Sequence, residues 1–284
     1  MEELEIKQLD YAGLKELMQW TEEEGWNPGP HDAEVFWATD PQGFMGIYKD
    51  EELIGGGSIV SYNGDFGFMG LFLVKPEYRS KGIGSSLWFK RRNTLLSRLK
   101  EGATIGMDGV VAMQPFYAKG GFTIAFRDER YSKAGEEHIV NEHITSIQEE
   151  DMDAVLAYDK QCFGFDRPQF MRPWLQMPGT KTFKYMVGDE LKGFAAVRRL
   201  QKDYKVCPLF ADDAMVAEEL YKACLNSSTG AQLIMDIPVT NAQAVELVNK
   251  YNAEYIFECA RMYYGTPPNL PIDKIFGITT FELG

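Results

Sequence analysis

The sequence predicts an α/β (α+β) protein made of two copies of one fold, and three observations carry this. Strand-like and helix-like segments alternate along all 284 residues, a length comfortable for two domains. After residues 133–143 (KAGEEHIVNEH), polar and weakly patterned as a linker would be, the order of elements begins again. Two pairs of segments are also locally similar and fall in the same order. GFMGIYKDEELIGGGSI from Gly43 matches TFKYMVGDELKGFAAV from Thr182, and FYAKGGFTIAFRDERY from Phe116 matches LVNKYNAEYIFECARMY from Leu247. The expected domains are 1–135 and 142–284.

In chain order, Leu4–Leu9 alternates apolar and polar residues as a half-buried strand does, and Tyr11–Thr21 carries Leu14, Leu17 and Met18 at helical spacing. EGWNPGPHD from Glu24 is dense in Gly and Pro and reads as an irregular loop, with a short amphipathic helix over Ala33–Thr39 after it. Gly43–Tyr48, Leu53–Tyr62 and Phe66–Val74 are apolar runs separated by turn signals. The Asn63-Gly64 pair in the second break is a hairpin signature. A helix is expected from Gly82 to near Leu99, a strand over Ala103–Val111, a short helix over Phe116–Lys119 and a strand over Phe122–Arg127. In the second half, His143–Ile147 reads as a strand and Met152–Gln161 as a helix capped by Asp151. Phe183–Val187 and Leu191–Arg198 form a hairpin pattern. Ala214–Leu225 and Asn241–Tyr251 read as helices, Gln232–Asp236 and Tyr255–Tyr264 as strands. The closing FGITTFELG from Phe276 has a strand's composition.

Composition narrows the function. Hydrophobic residues at 45% and charged residues at 25% suit a packed globular protein. A formal net charge of −13 argues against a nucleic-acid surface or a polybasic membrane patch, and fits small or cationic substrates. The longest apolar runs are far shorter than a membrane span, and Glu2, Glu3 and Glu5 precede any apolar stretch, unlike a signal peptide. Cys162, Cys207, Cys224 and Cys259 are scattered without a C-x-x-C pair, and His31, His138 and His143 lack ligand spacing. Reduced thiols in a cytoplasmic protein and no metal centre are the expectation.

The most informative segment is LFLVKPEYRSKGIGSSL (Leu71–Leu87). Phe72, Leu73 and Val74 are strand-like, and Pro76 ends regular pairing because it has no N–H. Arg79, Ser80, Lys81, Gly82, Ile83, Gly84 and Ser85 then lead into helix. A helix N-terminus presents unpaired N–H groups and the positive end of the dipole, which suits a pyrophosphate. Glycines at 82 and 84 admit close backbone approach, and Arg79 and Lys81 add charge-assisted bonds. Neither G-x-G-x-x-G nor a G-K-[ST] ending is present, so the dinucleotide and P-loop patterns do not fit.

VKPEYRSKGIG (Val74–Gly84), with its arginine, x, x, glycine, x, glycine core, closely resembles the diagnostic motif of the GNAT superfamily of acetyl-CoA-dependent N-acetyltransferases, and FYAKGGF (Phe116–Phe122) resembles that family's second motif. The resemblance covers roughly residues 4–131. It implies tandem GNAT-like domains, each a mixed, mostly antiparallel sheet flanked by helices. It further implies acetyl-CoA as co-substrate, with its pantetheine arm paired to Phe72–Val74 and its pyrophosphate on the N–H groups from Arg79 to Ser85. Tyr117 stands where many members carry the tyrosine that protonates the departing thiolate; packing beside Phe116 and Phe122 is the other reading. Val110 replaces an asparagine common in the family. Asp108 fits either a general base or a turn cap. The loop after the first helix commonly lines the acceptor site in this family, so Trp26, Asp32 and Glu34 are candidate acceptor-binding residues, and a solvated acidic loop is the alternative.

The second half resembles the degenerate GNAT-like domain of two-domain bacterial acetyltransferases. YKVCPLFADDAMVAEEL (Tyr204–Leu220) takes the place of the phosphate loop without its arginine or paired glycines, and Asp212 and Asp213 oppose phosphate. Val248 stands where the tyrosine would be. A structural role is expected for this half, lending a wall to the acceptor pocket, with FGFDRPQF (Phe163–Phe170) and ARMYYG (Ala260–Gly265) as segments in reach. The expected function is direct transfer of an acetyl group to a primary amine of a small molecule, with no nucleic-acid or membrane partner and the oligomeric state open. A non-catalytic acyl-CoA or metabolite sensor on the same fold, or a transferase of a longer acyl or aminoacyl group, are the alternatives.

Overall fold

The computed structural model describes residues 4–284. The first half runs β1 (Leu4–Gln8), α1 (Tyr11–Glu23), α2 (Asp32–Thr39), β2 (Phe44–Lys49), β3 (Glu52–Tyr62), β4 (Phe66–Val74), α3 (Ile83–Leu96), β5 (Thr104–Val110), α4 (Gln114–Lys119) and β6 (Thr123–Ala134). The second half repeats that order: β7 (Ile144–Thr145), α5 (Met152–Phe163), α6 (Pro168–Leu175), β8 (Lys181–Val187), β9 (Glu190–Arg199), β10 (Tyr204–Ala211), α7 (Ala214–Ser227), β11 (Gln232–Pro238), α8 (Ala242–Lys250) and β12 (Glu254–Tyr264). A short β13 (Ile275–Gly277) follows.

Local chemistry sets most boundaries. The Asp10 side chain accepts from the Gly13 N–H and starts α1, and Asp213 and Asn241 cap α7 and α8 in the same way. Asn63 and Gly64 both have positive φ, which turns the three-residue connection between β3 and β4 so that the Asp65 N–H donates to the Tyr62 carbonyl. Helix α6 does not announce itself in the sequence: Pro168 at its first turn and Pro173 inside it both read as loop. The strand expected over His143–Ile147 shrinks to two residues, and the one expected to end at Arg127 continues to Ala134.

All the strands lie in one sheet of order β1-β2-β3-β4-β5-β12-β6-β11-β10-β9-β8-β7, with β13 beside β10. The two halves exchange their sixth strands. β12 pairs with β5, β6 pairs with β11, and β6 and β12 pair with each other across the centre. The side chains of the sheet alternate between two cores. Phe66 and Phe68 face α1, α2, α5 and α6, a core common to both halves in which Phe36 stacks on Trp174 with centroids 6.0 Å apart. Met69 and Met107 face α3 and α4, while Leu209 and Met235 face α7 and α8. Among the described residues no helix is long and apolar enough to cross a membrane.

Candidate active site

β4 and β5 are parallel and paired only from Phe66–Met69 to Thr104–Met107. Beyond that they part, and a bulge in β4 marks the place. Ser58 of β3 faces Gly70 and Gly56 faces Leu73, so Leu71 and Phe72 together oppose Gly57 alone. Leu71 takes the positive φ that such a bulge requires, +51°. The β5-facing edge between Gly70 and Val74 is left without a strand partner and is open at residues 71–73 to an extended ligand.

At the far end of this edge the chain turns through Pro76–Tyr78 into α3. Ser80 and Gly82 have φ of +62° and +78°, and Gly82 precedes the helix without any side-chain cap. Among the described residues the first N–H groups of α3 therefore have no acceptor. A Cβ at Gly84 would make only ordinary contacts, 3.4 Å to Phe72 and 3.5 Å to Val74, so nothing in the protein demands glycine there. Arg79 Nε donates to the Val74 carbonyl at 2.7 Å, and its guanidinium is ion-paired with Glu24 from the loop after α1.

A cavity of about 560 Å³ occupies the gap and runs from one face of the sheet to the other. Phe72, Val74, Arg79, Ser80 and Gly84 line it on the α3 side and Leu73, a residue of the common core, lines it from the other face of β4, whereas Lys81, Gly82, Ile83 and Ser85 form the turn and the first helical turn beside it. Tyr117 of α4 faces the cavity with its ring stacked on Trp88 at 5.8 Å. Burial pushes its phenol up to about 12, against the pull of Arg91, so it remains a proton donor at neutral pH.

Arg91 was not anticipated. It follows Leu87 and precedes Leu95 at fourfold spacing on the buried face of α3, and it is 1% exposed. Nη2 donates to the carbonyls of Ser58 at 2.5 Å and Gly70 at 2.7 Å, which clamps β3 to β4 at the bulge. Burial without a carboxylate partner brings its pKa down to about 9. Any Cβ at Gly57 would overlap the guanidinium, so the glycine run of β3 makes room for this arginine. A cation between two leucines, opposite three glycines, was the available signal.

On the opposite face the wall consists of Trp26, Asp108, Arg130, Phe257, Phe281 and Glu282. Of the acceptor-side candidates, Trp26 lines the cavity, but Asp32 and Glu34 do not. Asp32 is buried, accepts from the Gly29 N–H and pairs with Arg198 of β9 at 2.5 Å, which ties the two halves together. Glu34 is a surface residue with 74% of its side chain exposed. Asp108 neither caps a turn nor stands free as a base: both its oxygens accept from Arg261 of β12, at 2.7 and 3.0 Å. Burial raises its pKa despite that partner. The second half does provide a wall, through Phe257, Cys259, Phe281 and Glu282 rather than through Phe163–Phe170 or Ala260–Gly265. Phe163 and Phe170 are core residues, and Arg167 of the former segment is held by Asp159. Cys259 had not been expected at the site; burial pushes its thiol well up, so it stays protonated.

The family model described as Acetyltransferase (GNAT) family matches residues 11–122, and a second, Acetyltransferase (GNAT) domain, matches residues 155–277. The chain belongs to the GNAT family. It is an acyltransferase, and the family's co-substrate is an acyl-CoA. A curated relative, Holothin acyltransferase of Pseudoalteromonas sp. (strain SANK 73390), is 27% identical over 278 residues, covering 96% of this chain and 93% of the relative. Among solved structures, a candidate acetyltransferase from Pyrococcus horikoshii superposes with a TM-score of 0.84 at 23% identity, over 99% of this chain and 96% of that one. A tandem GNAT protein from the clavulanic acid biosynthesis pathway superposes with a TM-score of 0.64 at 13% identity, over 94% and 100%. These two share the fold.

The second GNAT unit has the same parting of strands and a different filling. β10 and β11 pair only at Tyr204–Lys205 with Leu233–Ile234. Where they separate, β13 enters: Leu209 pairs with Gly277 and Phe210 with Ile275, and the Ile278 N–H donates to the Asp236 carbonyl at 2.9 Å. The α7 N-terminus is capped by Asp213, and Asp212 accepts from Tyr158 and Lys274. The chain itself occupies the groove and the helix end that stay open in the first unit.

Proposed function

We propose that the first GNAT unit transfers an acetyl group from acetyl-CoA directly to a primary amine of a small molecule. The observation that carries this reading is the cavity through the parted β4 and β5. It joins the uncapped N-terminus of α3, the buried Tyr117 phenol and a wall bearing carboxylates on the far face. The pyrophosphate of the donor would lie on the first N–H groups of α3 with Arg79 and Lys81 near it, and the pantetheine arm along residues 72–74. The amine nitrogen attacks the thioester carbonyl, a backbone N–H at the bulge faces the oxyanion, the C–S bond breaks, and Tyr117 gives its proton to the leaving sulfur. Direct transfer is favoured over an acyl-enzyme because Cys259, the cysteine on the cavity wall, is held as a thiol by burial.

The test is thiol release from acetyl-CoA with a panel of primary amines and matched alcohols, together with mass spectrometry of the enzyme after incubation with acetyl-CoA alone. Amine-dependent release with no acylated protein is the expected result. Alcohol preference, or an acylated cysteine, would sink the reading. The relative's name specifies an acyl rather than an acetyl group, so a second version of the reading takes another acyl donor. Acyl-CoAs of increasing chain length therefore belong in the same assay.

A further inference from the structure

Three carboxylates line the cavity: Glu24, Asp108 and Glu282. Glu24 is ion-paired with Arg79, and Asp108 holds Arg261 with both oxygens. Among the described residues Glu282 has no cationic partner. One of its carboxylate oxygens, Oε2, accepts from the Thr280 hydroxyl, while Oε1 accepts no hydrogen bond. It comes from the segment after β13, at the opposite end of the sequence from the phosphate loop, which explains why no sequence motif pointed to it.

This segment is fixed in place. The Glu282 carbonyl accepts from Ser58 Oγ at 3.1 Å, the Leu283 carbonyl from Tyr62 at 2.7 Å, and the Gly284 carbonyl from the buried Arg167 at 2.5 Å. It crosses β4 at Gly70, where any Cβ would overlap the Glu282 carbonyl. Gly70 is also the residue that Arg91 clamps at the bulge, and its N–H donates to the same Ser58 Oγ at 2.8 Å. The bulge and the carboxylate are thus held through shared atoms. Fully buried Leu283 and largely buried Phe281 and Ile278 pack the segment into the common core. Asp32, Arg198, Asp108 and Arg130 are charged groups near enough to feel Glu282. Each of these has a partner of its own: Arg198 with Asp32, Arg130 with Asp236, and Asp108 with Arg261.

From this arrangement we infer that Glu282 is the catalytic carboxylate of the acceptor site: it receives the acceptor's ammonium group and takes a proton from it, which frees the nitrogen lone pair for attack. The inference rests on the amine-acylation reading above and names the group that reading left open. The proton balance closes. The ammonium gives a first proton to Glu282, which passes it to solvent, and nitrogen gives up a second as the N–C bond forms. This second proton replaces the one that Tyr117 gives to the departing sulfur as the C–S bond breaks, so one proton is released per turnover. The second half then has a catalytic task, since this residue belongs to it although the donor site belongs to the first half.

The experiment compares wild type, Glu282→Gln and Glu282→Asp. Three quantities are measured: turnover with acetyl-CoA and the amine panel, CoA affinity by calorimetry, and binding of the same amines to the CoA-saturated enzyme. Glu282→Gln should lower kcat/KM for the amine at least 100-fold and leave CoA affinity within twofold, which also reports an intact fold. Glu282→Asp should recover at least tenfold of that loss. A Glu282→Gln enzyme within threefold of wild type overturns the inference, as does equal loss in both variants. Should wild type acylate no amine, the broader reading fails and amine binding decides the narrower one. Weaker binding in Glu282→Gln than in wild type supports an ammonium site, whereas equal or undetectable binding in both overturns it.

Discussion

The two GNAT units differ less in their strands than in what lies between them. Both have a parallel pair that parts after a few residues, β4 with β5 and β10 with β11, and both place a helix N-terminus at the end of the gap. In the first unit the edge of β4 is free and α3 begins at an uncapped glycine. In the second, β13 pairs with the free edge of β10 and the Asp213 side chain fills the end of α7. The occupied groove illustrates what the open one is for. A polypeptide segment in extended conformation completes the sheet in one copy as an extended pantetheine arm would in the other. The segment that closes the second groove continues across Gly70 to bring Glu282 to the first cavity, so a single stretch of chain fills one groove and lines the other.

The largest expected effect separates the two helix ends. Gly84→Glu places a carboxylate where the first unit would hold phosphate, and acyl-CoA affinity should fall about 1000-fold, about 4 kcal/mol. Ala214→Glu makes the same change at the exposed start of α7 and should leave acyl-CoA affinity within twofold. Calorimetry of both variants checks this, and equal losses would abolish the distinction between the units.

Removing the plug tests it from the other side. Phe276 is fully buried in the core of the second unit, and Phe276→Ala should cost about 3 to 5 kcal/mol of stability, read as a lower urea midpoint at unchanged slope. The number of acyl-CoA molecules bound per chain should stay at one. Two per chain, in the variant or in wild type, would mean that the second groove is not closed by β13.

Tyr117 and its counterpart Val248 give a third contrast. Tyr117→Phe should lower kcat about 100-fold with little change in KM, the loss typical of one positioned proton donor. The sign of the pH dependence follows from burial. With its pKa raised to about 12 the phenol stays protonated through pH 10, so wild-type kcat should show no alkaline fall below that pH from this group. A fall centred near 8 that vanishes in Tyr117→Phe would contradict it.

How much of this was legible depended on whether the signal was local. The phosphate loop needs a strand, a proline, an arginine, two glycines and an amphipathic helix in immediate succession, and all lie between Leu71 and Leu87. The repeated element order was readable for the same reason. Strand exchange was not, because alternation shows which residues of β6 and β12 face the cores but does not encode which strand lies alongside. The role of Glu282 depends on contacts with Ser58 and Gly70, more than 200 positions away. Asp32 misled because an acidic residue in a Gly- and Pro-rich loop looks solvated, whereas its partner Arg198 lies 166 residues on. Arg91 was visible as a cation between Leu87 and Leu95, and the glycines opposite it were visible too. Their meeting depends on how α3 packs across β3.

The smallest effect concerns the mouth of the open cleft. Arg79 belongs to the motif that identified the donor site, yet here its guanidinium is ion-paired with Glu24. An incoming phosphate must share or displace that carboxylate. The pair is substantially exposed, with side chains 44% and 34% accessible, so it contributes little to stability. Its influence on binding is direct, because a negative charge next to the phosphate position opposes the ligand. Glu24→Gln should therefore tighten acyl-CoA binding about twofold to fivefold at low salt, and the gain should shrink as ionic strength rises. The groove of the second unit is occupied by β13 and should contribute nothing to this salt dependence. If Glu24→Gln instead weakened binding, the carboxylate would be holding Arg79 in its working position, and the ion pair would count as part of the donor site.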